Sequence, residues 1–133
     1  MILDECEKMG LETEHIQIYG SMFTPCNDCG SCVIRGDGRC IIEDDDMNSY
    51  LDKMTDADAV ILAAPAYFDG IPGQMKILLE RISVASSKHI GGNKLKRKIG
   101  AAIAVSTRRS GRGLVVACRL AGGLVGRWCR GRR

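Results

Sequence analysis

A chain of 133 residues with 45% hydrophobic and 26% charged residues has the size and composition of one globular domain, which excludes a disordered or fibrous protein. No apolar run approaches the ~20 residues of a membrane-spanning helix, and the acidic first residues do not form a signal peptide, so we expect a cytoplasmic protein with no membrane association. The net charge of +3 is uneven, because residues 1–80 hold all 16 acids and five bases while residues 81–133 hold 14 bases.

The apolar pattern predicts alternating helices and strands. Helices are predicted at 3–10, 44–54 and 73–84, and strands at 13–19, 59–64 and 99–105. The apolar runs at 59–64 and 99–105 are typical of buried parallel strands. Asp44, Asp45 and Asp46 open the second helix, where we interpret them as capping acids rather than as a metal site. The alternation indicates an α/β domain with a mostly parallel sheet.

The loops that follow the three strands hold most of the chemically interesting residues. They span residues 20–43, 65–72 and 106–113. Ligands of doubly wound sheets bind beyond the carboxyl ends of the strands, so we expect all three loops at one edge of the sheet.

A group of cysteines in the first loop is the strongest chemical signal. Cys26, Cys29, Cys32 and Cys40 form the pattern C-x2-C-x2-C-x7-C, whereas Cys6, Cys118 and Cys129 lie outside it. Two successive x2 spacings let three thiolates converge on an iron–sulfur cluster, and Cys40 offers a fourth ligand. Structural zinc sites more often use two separate C-x2-C pairs. The spacing therefore favours a [4Fe–4S] cluster, with zinc, a Cys26–Cys29 redox dithiol or a set of reduced, partly buried cysteines as alternatives.

The other two loops contain candidate cofactor-binding residues. Tyr67 and Phe68 follow a strand that Pro65 ends, and they could pack against a flat heterocycle. A plain Pro/Gly turn with aromatic residues that cap the core is the alternative. The segment from Ser106 to Arg109 could bind an anion or a polar ring edge, or could be a solvated basic turn.

Three segments together resemble a known family. PCNDCGSC…RCIIEDDDM, DADAVILAAPAYFDGIPGQMKILLERIS and LKRKIGAAIAV, within residues 3 to 110, are similar to iron–sulfur flavoproteins of the flavodoxin-like NAD(P)H-dependent FMN reductase superfamily. The resemblance implies a flavodoxin-like doubly wound parallel sheet, FMN and a [4Fe–4S] cluster. It also implies a homo-oligomer, a dimer or tetramer, in which the cluster of one subunit lies near the FMN of another.

The same resemblance assigns roles to individual residues. It implies that the four loop cysteines, Cys26, Cys29, Cys32 and Cys40, are the cluster ligands. It implies FMN contacts from two segments, namely Pro65, Ala66, Tyr67 and Phe68 in the first and Ser106, Thr107, Arg108 and Arg109 in the second.

The two ends of the chain depart from the family pattern. Family members begin with an apolar strand and a phosphate-binding loop, so we expect residues 1–107 to be a partial domain whose first, central strand is missing, with the cysteine loop at 26–40. Residues 108–133 contain eight Arg, six Gly and no acid. We interpret this tail as the product of a frameshift in a GC-rich gene, with a nucleic-acid-binding tail as the alternative.

The predicted function is electron transfer between FMN and the cluster in an FMN-dependent oxidoreductase. Ferredoxin or NAD(P)H is the expected donor, and nucleic acid is not an expected partner. Two alternatives remain. One is a zinc-stabilised α/β module with a basic nucleic-acid-binding tail, and the other is an NAD(P)H-dependent FMN or quinone reductase without a cluster.

Overall fold

The computed structural model describes residues 2–67 and 70–105, which form four helices and a two-stranded parallel sheet. In chain order the elements are α1 (Ile2–Lys8), α2 (Ser31–Arg35), α3 (Met47–Asp56), β1 (Ala59–Pro65), α4 (Gly73–Ser87) and β2 (Ile99–Val105). The register pairs Ala59 with Ile99 and Pro65 with Val105, and α4 is the crossover between the strands. These observations confirm the predicted α/β class and parallel pairing. None of the helices among these residues is long and apolar enough to cross a bilayer.

The hydrophobic core lies between α3 and α4. Its buried members are Phe23, Met47, Leu51, Leu78, Ile82, Ala85 and Leu95, with Ile18, Cys40, Tyr50, Met54 and Ile77 packed around them. Phe23 and Tyr50 meet edge to face, with ring centroids 5.9 Å apart. The core therefore extends from the two helices to the cysteine loop, since Cys40 packs against it.

The two strands are less buried than their apolar runs predict. Residues alternate between half-buried and exposed along β1, and Ile99 at the start of β2 is 68% exposed. The prediction of strands buried on both faces is wrong for the part of the chain that the structure describes. The reason is that the described helices pack mainly on one another, so the sheet contributes no residue to the core.

Two other predicted elements differ from the structure. Residues 13–19 form no strand, because no neighbouring strand in the described ranges pairs with them, although Ile18 still packs against the core. Helix α3 begins at Met47 rather than at residue 44, and no acid lies in its first turn. Asp46 is at the N-cap position but makes no capping hydrogen bond through its side chain.

Several predicted features lie outside the described residues. They are Phe68, the second FMN segment (Ser106, Thr107, Arg108 and Arg109), the 106–113 loop and the tail at 108–133.

Candidate functional site

The cysteine loop is shaped by a short helix that the sequence pattern did not predict. Helix α2 lies between Gly30 and Gly36, whose φ angles of 71° and 62° are left-handed. The main-chain N–H of Gly36 donates to the carbonyl oxygen of Cys32 at 3.1 Å and closes the helix. The helix therefore gives the backbone a fixed turn between Cys29 and Cys40.

The four cysteines of the loop line one cavity. Its volume is about 160 Å³, and its other wall consists of Arg81, Val84 and Ala85 from the second half of α4 and of Lys88, which directly follows the helix. The four thiols are free, with Cys29 exposed and the other three half-buried. Within residues 2–67 and 70–105, no three His, Cys, Asp or Glu side chains are grouped closely enough to hold a single metal ion.

The Cys29 thiol is more acidic than a free cysteine. Hydrogen bonds that the Ser31 hydroxyl and the Ser31 main-chain N–H donate to the sulfur hold the pKa of Cys29 below its usual value. The thiolate is the form of cysteine that binds metals. Ser31 therefore favours the ionised form of Cys29.

Helix α3 fixes the position of Cys40. The main-chain N–H of Cys40 donates to Asn48 Oδ1 at 3.0 Å, and Asn48 Nδ2 donates to the Cys40 carbonyl oxygen at 2.9 Å. Asn48 is buried, so this pair of bonds is protected from water. The neighbouring residue Arg39 also binds α3, because its Nη1 lies 2.6 Å from Oδ2 of Asp52 in an ion pair. Helix α3 thus holds the backbone at Cys40 through two neighbouring residues.

A buried ion pair stabilises the cysteine loop. The guanidinium of Arg81 on α4 bonds to the carboxylate of Asp45, and both side chains are almost fully buried. Arg81 also donates to the carbonyl oxygens of Thr24 and Ile42, each at 3.1 Å. Because Thr24 precedes Cys26 and Ile42 follows Cys40, this one side chain holds both ends of the cysteine loop.

Sequence reasoning missed the role of this ion pair. Asp45 was interpreted as a capping acid, and its Oδ1 does accept the Met47 main-chain N–H at 3.1 Å, but its Oδ2 bonds to Arg81 and to the Thr24 main-chain N–H. One signal was available: Arg81 shares the helical face of Leu78, Ile82 and Ala85, where a charge needs a buried partner. The identity of that partner depends on a contact across 36 positions of sequence.

The donor set fits an iron–sulfur cluster. Four cysteines, whose sulfurs are soft donors, line one cavity. Lys88 also lines it, and its positive charge opposes the negative charge of thiolates. Glycines at 30, 36 and 38 have positive φ and give the loop tight turns. These observations are consistent with the ligand set that the spacing indicates.

The loop glycines lead to a test of stability. Gly36→Ala places a residue with a Cβ at φ +62°, where that atom would lie 2.5 Å from Ile90 Cγ1. We expect a loss of about 1–2 kcal/mol in the free energy of unfolding from the left-handed backbone alone. The control is Gly73→Ala, at the start of α4, where the new Cβ meets nothing within 4 Å. Urea denaturation followed by circular dichroism compares the two, and equal midpoints would contradict the argument.

The two strands end at a common edge of the sheet. Pro65 and Val105 are the last paired residues of the two strands, and the Ala66 main-chain N–H donates to the Val105 carbonyl oxygen at 2.8 Å. Tyr67 is 65% exposed, and its main chain exchanges two hydrogen bonds with Gly70. The described part of this edge therefore presents an aromatic ring to the surroundings.

The cysteine cavity is not at this edge of the sheet. The loop begins near it, since Gln74 Nε2 on the first turn of α4 donates to the Ser21 carbonyl oxygen at 3.5 Å, but the cavity lies against the second half of α4. The cavity contains none of Pro65, Ala66 and Tyr67. The prediction that the whole cysteine loop lies at the carboxyl ends of the strands is therefore wrong. The cavity lies against the end of α4 that is farther from those strand ends.

Comparison with known proteins decides the family. The family model of NADPH-dependent FMN reductases matches residues 1–131. The chain belongs to this family. The family assignment confirms the flavodoxin-like class that the sequence resemblance implied.

Relatives within this family are named iron-sulfur flavoproteins. One from Methanosarcina thermophila is 38% identical over 109 residues, which cover 82% of this chain and 54% of the relative. Another, from Methanocaldococcus jannaschii, is 37% identical over 82% of this chain and 53% of the relative. A third, from Archaeoglobus fulgidus, is 31% identical over 84% of this chain and 52% of the relative. The chain thus spans about half the length of these FMN reductase relatives, and no solved structure matches it.

Proposed function

We propose that this member of the FMN reductase family is a flavin-linked oxidoreductase that transfers electrons between FMN and a [4Fe–4S] cluster. The observation that carries the proposal is the cavity lined by all four cysteines of the C-x2-C-x2-C-x7-C pattern. The names of the relatives support both cofactors. When bound, the cluster supplies one-electron chemistry and FMN supplies one- or two-electron chemistry.

The residues of the chain hold and orient these groups. Cys26, Cys29, Cys32 and Cys40 are the proposed cluster ligands, with Ser31 favouring the ionised form of Cys29. The proposed FMN contacts are Pro65, Ala66, Tyr67 and Phe68 together with Ser106, Thr107, Arg108 and Arg109. The exposed ring of Tyr67 supports stacking on a flat heterocycle. No side chain needs to act as a general acid or base in this function.

We also propose an electron donor and an oligomeric state for the protein. Ferredoxin or NAD(P)H is the proposed electron donor, and the proposed assembly is a homodimer or homotetramer. Val33 and Ile34 on α2, 58% and 86% exposed, lie beside the cysteines and support a subunit contact there. Light scattering of the purified protein measures the assembly, and a monomer at all concentrations would contradict it.

The test of the proposed function is a visible absorption spectrum of anaerobically purified protein, with iron, acid-labile sulfide, zinc and flavin assayed on the same sample. We expect about four iron and four sulfide per chain, with absorption that dithionite bleaches. Colourless protein with one zinc per chain would favour the zinc-stabilised module. Yellow protein with flavin and no iron would favour a reductase without a cluster.

A further inference from the structure

A strongly basic segment follows helix α4 and leads to β2. Residues 88–98, which we call the basic turn, contain no acid and five bases, namely Lys88, Lys94, Lys96, Arg97 and Lys98. Three of the five are exposed and the other two are half-buried. Within the described ranges, none of them forms an ion pair with a carboxylate. The basic turn therefore presents a positive charge that its neighbours do not neutralise.

The basic turn packs directly on the cysteine loop. The main-chain N–H of Ile90 donates to the carbonyl oxygen of Gly36 at 2.8 Å. A Cβ at Gly38 would lie 2.8 Å from Cε of Lys94, so this side chain crosses the loop where the loop has no side chain. Lys88 lines the cavity of the four cysteines. The positive charge therefore lies beside the loop that is proposed to hold the cluster.

The backbone of the basic turn is fixed by the core. Leu95 is 0% exposed and belongs to the hydrophobic core, with bases on both sides of it in the sequence. Asn93 Oδ1 accepts the Leu95 main-chain N–H at 2.8 Å, and the Asn93 carbonyl oxygen accepts the Lys96 main-chain N–H at 3.0 Å. Arg97 has a left-handed φ of 73°, which is uncommon for a residue with a Cβ. Strained backbone of this kind clusters at binding sites.

The charge and the place of the basic turn indicate the kind of partner that it fits. Complementary charge speeds the encounter of two proteins and orients them, so a surface of five unpaired bases fits an acidic partner. A two-fold contact between copies centred on the turn would bring like charges together. Residues 88–98 contain no Phe, Tyr or Trp on which the bases of a single-stranded nucleic acid could stack. An acidic protein that donates electrons fits both the charge and the place beside the cysteines.

We propose that the basic turn is the docking surface of an acidic electron-carrier protein that reduces the cluster. The inference rests on the proposed function, because it gives a surface to the electron donor of that function. One electron moves from the reduced carrier to the oxidised cluster, and no bond forms or breaks. Ile90, which is 88% exposed among the bases, adds an apolar contact at the centre of this surface.

The test compares two double variants of the anaerobic holoprotein. Lys96→Gln with Arg97→Gln, the turn variant, removes two exposed charges from the basic turn, and Lys8→Gln with Lys76→Gln removes two exposed charges elsewhere. Each is mixed with a reduced acidic [2Fe–2S] ferredoxin, and stopped-flow spectra give the second-order rate of cluster reduction at low ionic strength. We expect the rate to fall about tenfold in the turn variant and less than twofold in the control. Added salt should reduce the difference.

A second electron donor separates docking from a general effect on the cluster. Reduced methyl viologen is a small cation that needs no basic docking surface, so we expect it to reduce the turn variant at least as fast as wild type. An unchanged ferredoxin rate, or equal slowing with both donors, overturns the inference alone. A changed oligomeric state of the turn variant in light scattering also overturns it, because the turn would then be a contact between copies.

Cross-linking needs no variant, so it remains decisive if the turn variant fails to fold. Wild-type holoprotein and the ferredoxin are treated with a carbodiimide, which joins lysine amines to carboxylates, and mass spectrometry locates the links. We expect links from Lys94, Lys96 or Lys98 to ferredoxin carboxylates. Links that lie only outside residues 88–98, or no links, overturn the inference while the proposed function stands. Wild-type protein without iron and sulfide overturns the proposed function and the inference with it.

Discussion

Replacement of Cys26, Cys29, Cys32 or Cys40 by serine is expected to remove most of the bound iron and sulfide. The four cysteines line one cavity, so the loss of any one sulfur would leave the proposed cluster a soft ligand short. A serine hydroxyl is close to the thiol in size but ionises far less readily and is a hard donor. The expected loss exceeds the ~10–100-fold that changes to the residues around a metal site typically cause. Iron and sulfide per chain, measured after anaerobic purification, check it.

Cys6→Ser is the matched control for this series. Cys6 is a free, half-buried cysteine of α1, like three of the loop cysteines, but it lies outside the cavity. We expect Cys6→Ser to keep the full iron and sulfide content. A loop variant that retains the same content would remove that cysteine from the ligand set, and loss of iron in Cys6→Ser would mean that the assignment of ligands is incomplete.

Local patterns predicted the elements that depend on local forces. The apolar positions of Met75, Leu78 and Ile82 predicted α4, and the apolar runs predicted β1 and β2 almost to the residue. Helix α2 was not predicted, because it depends on left-handed backbone at Gly30 and Gly36 rather than on an apolar stripe. The strand at 13–19 was predicted from alternation alone, but a strand also needs a neighbour to pair with.

In the candidate site, too, local patterns predicted only the features that depend on nearby residues. The spacing of the cysteines predicted that they gather, and all four line one cavity. Spacing could not show that α4 forms the opposite wall, or that Arg81 holds Thr24 and Ile42 at the two ends of the loop. Such contacts join residues tens of positions apart, and they depend on how the helices pack. The residues that hold the loop in place are therefore harder to predict than the residues that would bind the cofactor.

Asp45→Asn is expected to destabilise the folded protein strongly. The asparagine keeps the size of the side chain but leaves the buried guanidinium of Arg81 without a charged partner. Removal of one partner from a buried ion pair costs about 3–5 kcal/mol in the free energy of unfolding. Urea denaturation at pH 7 measures it. Asp46→Asn is the neighbouring control, since Asp46 is exposed and makes no capping hydrogen bond, and we expect a change within about 0.5 kcal/mol.

The same carboxylate predicts how stability depends on pH. Burial raises the pKa of Asp45, but hydrogen bonds from the Thr24 and Met47 main-chain N–H groups and from Arg81 outweigh it, so the pKa in the folded state is lowered. Between this value and the unfolded value of about 3.9, the unfolded chain binds more protons, and stability falls as the pH falls. The stabilisation is therefore complete above pH ~4 and is lost in more acidic solution. Urea midpoints measured from pH 6 to pH 2 should fall more steeply for wild type than for Asp45→Asn, and parallel curves would show that Asp45 is not the titrating group.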